Sequence, residues 1–506
     1  KNKILKMLIN INKNIDWDSK LLFSDHHLSH QSSAFYPSPF ENAAILTMDG
    51  VGEWNSTSIA IGNGNKIEKL KFINFPHSLG LLYSAFTHYL GFKVNSGEYK
   101  VMGLAPYGDP KYTGIIKDNI ISIQDDGSFY MNMNFFDYCT DLKMTSKKFH
   151  NLFGGKPRTP NEQISQKDMD IAASLQSVTN EIVIKISKNI YKETGLENLC
   201  LAGGVALNCV TNGKIIEEKI FKKVWVQPAS GDAGGAIGAA LAVHYMKYEK
   251  KRNINTLSDS MKGSYLGPSY SNSEIENTLS SLDAVYEKLD DDEIINKTAI
   301  ELSKEKVVGW MQGKMEFGPR SLGNRSILAD PRASGMQKKL NMKIKFRESF
   351  RPFAPSILHD HVSKWFEIKQ DSPYMLFVSK ILEQRRKKIS TDESKLFGID
   401  KLNLKRCDVP SITHVDYSAR LQTVEKKTNI KYYNLIKKFY DITNVPMLIN
   451  TSFNVRGEPI VCNVEDAFKC FMGTDLDILV IGNYILYKEQ QNQELKKSYL
   501  GKYKLD

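Results

Sequence analysis

Short apolar runs bounded by polar turns alternate along this chain with stretches whose apolar positions recur every three or four residues. The run 21–24 predicts a short strand feeding a helix through His26 and His30. Residues 43–48 form an apolar strand ending in Asp49-Gly50. Strands follow at 56–62 and 66–74, with Asn63-Gly64 as a hairpin turn signal between them. Residues 78–90 predict a helix carrying Leu79, Leu82, Tyr83, Phe86 and Leu90 on one stripe. Residues 108–165 have polar turns and little period, and read as an insertion or a mobile lobe. A long amphipathic helix is predicted over 168–194. Strand 198–202 then runs into Gly203-Gly204, and strand 224–226 leads to a glycine-bearing loop, 228–235, that opens a helix of small residues.

Residues 248–271 are polar, basic and turn-rich, which predicts a boundary between a unit of residues 1–262 and one of residues 263–506. The second unit has strands predicted at 307–312, 374–379, 447–449 and 478–481. Strands alternating with helices predict an α/β class in both halves.

Composition narrows this picture. A chain of 506 residues can hold two or three cores, and 41% hydrophobic with 25% charged residues is ordinary for a globular protein. There is no apolar run of about 18 residues and no signal-peptide pattern, so no membrane association is expected. Six scattered cysteines without a CxxC pair argue against a disulfide framework or a cysteine zinc site, and fit the cytoplasm. The net charge of +11 reads either as a lysine-rich surface or as attraction for anionic partners such as nucleotides and phosphates.

Candidate chemistry gathers in three places. His26 and His30 lie four apart, on one face of a helix, where two imidazoles can share a metal. A capping or core role is the plain alternative. Asp49 at a strand end and Asp232 before a helix can complete the ligand set, although Asp232 also suits a helix N-cap. Gly203, Gly204 and Gly231 lie in loops that allow close approach of a phosphate or nucleoside, or simply tight helix packing. Neither loop is a GxGxxG or a P-loop, and two such loops after short strands follow the pattern of actin-like nucleotide-binding folds. In the second half, Arg320, Arg325, Lys345, Arg347 and Arg351 sit among glycine and proline turns. Asn450-Thr451-Ser452-Phe453-Asn454 and Arg420, Gln422 and Thr423 add polar groups. This set suits an anion such as ATP or an acyl phosphate, against the alternative of a surface ion-pair network.

The stretches DHHLSHQSSAFYPSPF, ILTMDGVGEW, GEYKVMGLAPYG, LAGGVALNCVTNGK, GDAGGAIGAAL, FGPRSLGNRSILADPR, KFRESFRPFAPSIL and NTSFNVRGEPIV together resemble the O-carbamoyltransferases of nodulation-factor and antibiotic biosynthesis. The resemblance implies an actin-like (ribonuclease H-like) first domain for carbamoyl transfer and a YrdC-like second domain forming carbamoyl-adenylate. It implies His26, His30, Asp49 and Asp232 as ligands of iron(II) or a similar divalent metal. It implies Lys345 and Arg347, with Ser452 and Asn454, as the groups that hold ATP (with Mg) and carbamoyl phosphate. Lys345, Arg347 and Asp232 are expected to carry the chemistry. Arg320, Arg325, Arg351, Arg420, Thr423, Gly203, Gly204, Asn208, Gly231, Glu98 and Lys100 are expected to contact nucleotide or intermediate. The expected partners are a small-molecule or oligosaccharide acceptor, a second copy in a homodimer, and a separate N-terminal segment, since the family carries about a hundred residues before this helix. Nucleic acid is not an expected partner. Two other readings are tRNA threonylcarbamoylation and a non-catalytic nucleotide-binding partner of a companion chain.

Overall fold

A computed structural model describes residues 1–390, 393, 396–495 and 503. Helices α1 (Asn2–Ile11) and α2 (Trp17–Lys20) bury no residue and lead to α3 (His26–Phe35), which buries His27 and everything from Ser29 to Phe35. The strand expected at 21–24 is not formed. That stretch has no ladder partner, and its Leu22 and Phe23 remain exposed. Strands β1 (Asn42–Gly52), β2 (Asn55–Asn63) and β3 (Lys66–Asn74) form an antiparallel meander. Asn63 pairs with Lys66, so Gly64 and Asn65 make the two-residue turn, with Gly64 at φ +56. Helices α4 (Leu79–Tyr89) and α5 (Glu98–Leu104) follow.

Residues 108–165 form a folded lobe, which corrects the mobile-lobe alternative and leaves that of an insertion. It comprises α6 (Thr113–Asn119), the hairpin β4 (Ile121–Ile123) and β5 (Phe129–Met131), and α7 (Lys147–Leu152). Its Phe149 and Phe153 are buried against Phe86 of α4, with ring centroids 5.0 and 5.4 Å away. Aromatic anchors spaced by irregular backbone give no sequence period, which is why the lobe reads as a loop.

Helix α8 (Gln166–Thr194) starts at a Ser165–Asp168 capping box and stops at Gly195, φ +64. It is the crossover to β6 (Asn198–Ala202), which lies parallel to β1. Helix α9 (Cys209–Glu217), strand β7 (Lys223–Val226) and helix α10 (Asp232–Ala242) complete the first half. Its sheet runs β3-β2-β1-β6-β7. The six residues Ala43–Met48 of β1 are all buried, because α3 and α4 both pack on this central strand. Small residues bring α10 against α3: a Cβ added at Gly238 would sit 1.7 Å from the Ser29 carbonyl oxygen.

Residues 248–271 are pinned rather than free. The buried Arg252 guanidinium donates to the carbonyls of Phe35, Tyr36, Ser38 and Phe40 at 2.7–3.0 Å. Asp259 accepts from Trp225 Nε1 of β7 at 3.0 Å and from the Tyr374 hydroxyl of the second half at 2.7 Å.

The second half contains α11 (Asn272–Ser281), β8 (Glu287–Lys288), α12 (Asp291–Ser303), β9 (Val308–Met311), β10 (Arg325–Ala329), α13 (Met336–Lys339), β11 (Ala354–Leu358), β12 (Phe377–Lys380), β13 (Ser418–Val424), α14 (Ile430–Thr443), β14 (Met447–Ser452), α15 (Val464–Met472), β15 (Ile478–Ile481) and β16 (Tyr484–Tyr487). Its nine-stranded sheet runs β12-β13-β11-β14-β10-β9-β15-β16-β8 and is mixed, with β11–β13 and β9–β15 parallel. The halves meet closely: Asn212 Nδ2 of α9 donates to the Leu376 carbonyl at 3.0 Å, and His414 Nε2 lies 2.9 Å from the Gly103 carbonyl. Among the described residues, no helix is long and apolar enough to cross a membrane.

Candidate functional site

Helix α3 carries His26 and His30 on one face, and their Nε2 atoms lie 3.0 Å apart. Asp49, on β1, brings Oδ2 to 3.0 Å from His26 and 3.4 Å from His30. Asp232, at the first turn of α10, brings Oδ1 to 3.6 and 3.5 Å from the same two nitrogens. All four ligand atoms fall within 4.8 Å of one another. The tight α3–α10 packing at Gly238 is what puts Asp232 opposite the histidines. Glycines clear the rest of the space: a Cβ at Gly52 would meet His26 Cδ2 at 2.1 Å, and one at Gly203 would meet the Met48 carbonyl oxygen at 2.1 Å. Burial pushes the Asp49 carboxyl up, but His26, His30 and the Gly204 N–H, 3.0 Å away, hold it well below the usual carboxylate range. The cluster is shut on the His30 side, 1% exposed, and open at Asp232, 79% exposed. His27 stands outside it: its Nδ1 lies 2.7 Å from Ser58 Oγ, and burial holds its pKa down to about 4.

A cavity of about 730 Å³ lies between the two halves. The second half contributes Lys345, Arg347, Arg351, Arg320, Arg420, Ser452 and Asn454 to its wall, and α5, α8 and α9 contribute the facing side. Lys345 is held by the 452–454 turn: Nζ donates to the carbonyls of Ser452 and Asn454 at 2.7 Å and to Asn454 Oδ1 at 2.6 Å. Arg347 Nε donates to Asn341 Oδ1 at 2.7 Å, and its guanidinium lies 4.7 Å from the Phe353 ring centroid. Burial presses Lys345, Arg347 and Arg420 below their usual values, as it does Arg320 with Arg420 beside it. The buried Nε atoms of Arg320 and Arg420 have no hydrogen-bond partner. Crowded, desolvated cations are stabilised by an anion placed among them.

Several residues expected at this site are used elsewhere. Arg325 is fully buried and donates to the carbonyls of Gln312, Gly313, Asn324 and Pro268, so its guanidinium braces the turn before β10 and does not line the cavity. Glu98 accepts from Ser84 Oγ and from the N–H groups of Asn95 and Gly97, fixing its own helix start. Asn208 caps α9 through the Thr211 N–H. The Gly204 N–H donates to Asp49 Oδ1, Gly203 lies against the Met48 backbone, and Gly231 precedes Asp232 as the α10 N-cap. Thr423 accepts from the Ser372 N–H and lines a second cavity of about 670 Å³. Lys100 is fully buried, with Nζ 3.7 Å from Glu348.

Glu348 and Arg456, 3.3 Å apart, were not singled out from the sequence, nor was Tyr99, which lies 4.5 Å under the Arg351 guanidinium. Each follows from chain segments far apart in sequence, although Arg456 stands two residues beyond the NTSFN stretch. His359, Asp371 and Glu425 form a second cluster with no buried member; Asp371 and Glu425 line the second cavity, where Lys427 already pairs with Glu425 at 2.9 Å.

Known proteins place this arrangement. The family description "Carbamoyltransferase N-terminus" matches residues 1–241, and "Carbamoyltransferase C-terminus" matches residues 299–488. The uncharacterized protein sll1178 of Synechocystis sp. is 54% identical over 96% of this chain and 79% of its own length. Nodulation protein NolO of Bradyrhizobium diazoefficiens is 38% identical over 92% of this chain and 79% of its length. Nodulation protein NolNO of Sinorhizobium fredii is also 38% identical, over 94% of this chain, which spans 65% of that relative. Two family matches, one on each side of the shared cavity, together with similarity along more than nine-tenths of this chain, establish that the chain belongs to the carbamoyltransferase family and is a transferase enzyme.

Proposed function

We propose that this chain moves a carbamoyl group from carbamoyl phosphate, by way of carbamoyl-adenylate, to a hydroxyl of a small-molecule or glycan acceptor. A carbamoyl carbon is a poor electrophile because its nitrogen donates into the carbonyl; adenylation gives it a better leaving group. The observation that carries the reading is the cavity between the halves whose cationic wall, Lys345, Arg347, Arg320, Arg351 and Arg420, faces helices of the first half. In the second half, Lys345 and Arg347 balance charge on ATP and on the carbamoyl donor: water releases phosphate from carbamoyl phosphate to leave carbamate, whose oxygen attacks the α-phosphorus of ATP and displaces pyrophosphate. Ser452 and Asn454 orient Lys345. The meander-plus-parallel order of the first sheet supports the actin-like reading of that half. The YrdC-like reading of the second half rests on the sequence resemblance.

His26, His30, Asp49 and Asp232 fit a divalent metal: two imidazole nitrogens and two carboxylates converge, and one side stays open to a further ligand. The donor set suits iron(II), manganese or zinc, and the family resemblance favours iron(II). Such an ion would supply Lewis acidity at the carbamoyl oxygen and the adenylate phosphate. The acceptor hydroxyl attacks the carbamoyl carbon, the bond from that carbon to the adenylate oxygen breaks, and AMP leaves.

The test is exchange of labelled pyrophosphate into ATP in the presence of carbamoyl phosphate. Wild-type protein should exchange, and Arg347→Ala should not. Exchange that persists in Arg347→Ala removes that residue from the chemistry, and its absence in wild type overturns the activation step.

A further inference from the structure

Away from the α3 centre, a second set of metal-ligating side chains stands on rigid framework. Strands β11 and β13 run parallel, with Leu358 paired to Val424. His359 follows β11 and Glu425 follows β13, so the sheet delivers an imidazole and a carboxylate side by side. They stand at the carboxyl ends of neighbouring strands, where α/β sheets hold ligands. Asp371 comes from a loop laced to β13. The Ser372 N–H donates to Thr423 Oγ1 at 3.0 Å, the Thr423 N–H to the Ser372 carbonyl at 2.9 Å, and Ser372 Oγ to the Leu421 carbonyl at 2.7 Å.

His359 Nε2 lies 2.9 Å from Asp371 Oδ1 and 4.0 Å from Glu425 Oε1. Donor atoms on one tetrahedral zinc ion, bonded at about 2.0–2.1 Å, stand about 3.3 Å apart, and the two spacings lie on either side of that value. The other ring nitrogen, Nδ1, is 3.2 Å from Asp360 Oδ1. A carboxylate there takes the Nδ1 proton and leaves the Nε2 lone pair facing the cluster, which is how ligating histidines are oriented. Glu425 is divided in the same way: Oε2 meets Lys427 at 2.9 Å, and Oε1 is turned to His359. Asp360, Asp371 and Glu425 set three negative charges against the single positive charge of Lys427, an imbalance that a divalent cation removes.

We propose that His359, Asp371 and Glu425 bind a structural divalent ion of the zinc class, at a site separate from the α3 centre. The imidazole selects against magnesium and calcium, which take oxygen ligands. Side-chain exposure of 40% at His359 and 61% at Asp371 lets water complete the coordination shell. The ion exchanges with solvent at so open a site, and metal retained through purification is that of the α3 centre. Its role follows from the loop it fastens. Gln370 Nε2 donates to the Val224 carbonyl of β7 at 3.0 Å, and the Tyr374 hydroxyl donates to Asp259 at 2.7 Å. Residues on both sides of Asp371 thus hold β7 of the first half and the segment that follows that half. A metal bond from Asp371 to the ends of β11 and β13 ties those contacts to the second sheet. No step of carbamoyl transfer passes through it.

Zinc titration of the full chain, followed by calorimetry, tests this with the α3 centre disabled. His30→Ala should still take up zinc, and a large excess of magnesium should not displace it. In the His30→Ala background, His359→Ala and Asp371→Asn should each weaken zinc binding at least ~10-fold. Asp371→Asn keeps the shape of the side chain, so a folding defect in His359→Ala would not be mistaken for a lost ligand. Zinc should also raise the thermal midpoint of His30→Ala and leave those of the two double variants where they are. No zinc uptake by His30→Ala, equal affinity in both double variants, or displacement by magnesium would overturn the proposal.

Discussion

Lys100 Nζ of α5 and Glu348 Oε1 of the second half approach to 3.7 Å, with Lys100 fully buried and Glu348 also meeting Arg351 at 3.5 Å and Arg456 at 3.3 Å. One carboxylate thus faces cations from both halves. Burial pushes it up, but Lys100, Arg351 and Arg456 keep its pKa below the usual value. Glu348→Gln leaves Lys100 in a low-dielectric site with less countercharge. The expected cost is about 2–3 kcal/mol, below that of breaking a fully buried pair because Glu348 keeps 20% exposure. Urea unfolding of the purified variant measures it, and an unchanged midpoint would show that Lys100 relies on other partners.

The ligand cluster makes a stricter demand on geometry than on composition. His30→Ala removes one of four convergent donors, and bound metal should fall at least ~10-fold. Gly52→Ala keeps every ligand but drives a methyl group into the His26 ring. It should lower metal content as well, and cost about 1–3 kcal/mol through overpacking. Elemental analysis of both variants decides the matter; full metal content in either one removes the corresponding residue from the centre.

Arg325 and Arg347 look interchangeable in sequence, and should behave as opposites. Arg325→Met strips donors from four carbonyls, those of Gln312 and Asn324 buried, and should cost about 3–5 kcal/mol, with the KM for ATP in the exchange reaction unchanged. Arg347→Ala should abolish exchange while losing less stability. A variant of Arg325 that unfolds normally but exchanges poorly would return that residue to the site.

His414 supplies a pH dependence whose sign is fixed by its contacts. Its Nδ1 accepts from the Val415 N–H at 2.8 Å, so the neutral ring is the one the fold holds, and burial lowers its pKa from 6.5. As pH falls, the unfolded chain takes up the proton first. The contribution is whole above pH 6.5 and is lost below it, towards the lowered folded value, at up to ~1.4 kcal/mol per pH unit. His414→Gln should be less stable at neutral pH yet flatter between pH 6.5 and about 5 in urea midpoints. Equal slopes in both proteins would refute the assignment.

The parts of this molecule legible in its sequence are those set by short-range pattern. The strands 198–202 and 478–481 coincide with apolar runs, and the long helix expected over 168–194 is α8, which starts two residues earlier at its Ser165–Asp168 capping box. The HxxxH spacing gave the face of α3 but not the partners, which arrive from β1 and α10 through the sheet. Spacing could not distinguish Arg325 from Arg347, because the difference lies in which carbonyls surround a guanidinium after folding. Glu348 was invisible for the same reason: its meaning comes from Lys100, some 250 residues earlier. The lobe at 108–165 was misread because its order comes from Phe149 and Phe153 against Phe86, not from any repeat of its own.

Arg252 and Asp259 give the segment between the two sheets a mechanical consequence. Arg252 is riveted to four carbonyls after α3, and Asp259 joins Trp225 to Tyr374 across the halves. The segment therefore works as a splice plate rather than a tether: a protease meeting the native protein finds these two anchors held. Two fragments made by cutting the gene between residues 262 and 263 would part Tyr374 from its carboxylate and divide the cationic cavity. Each fragment would carry one bare wall of a chamber that only the joined chain encloses.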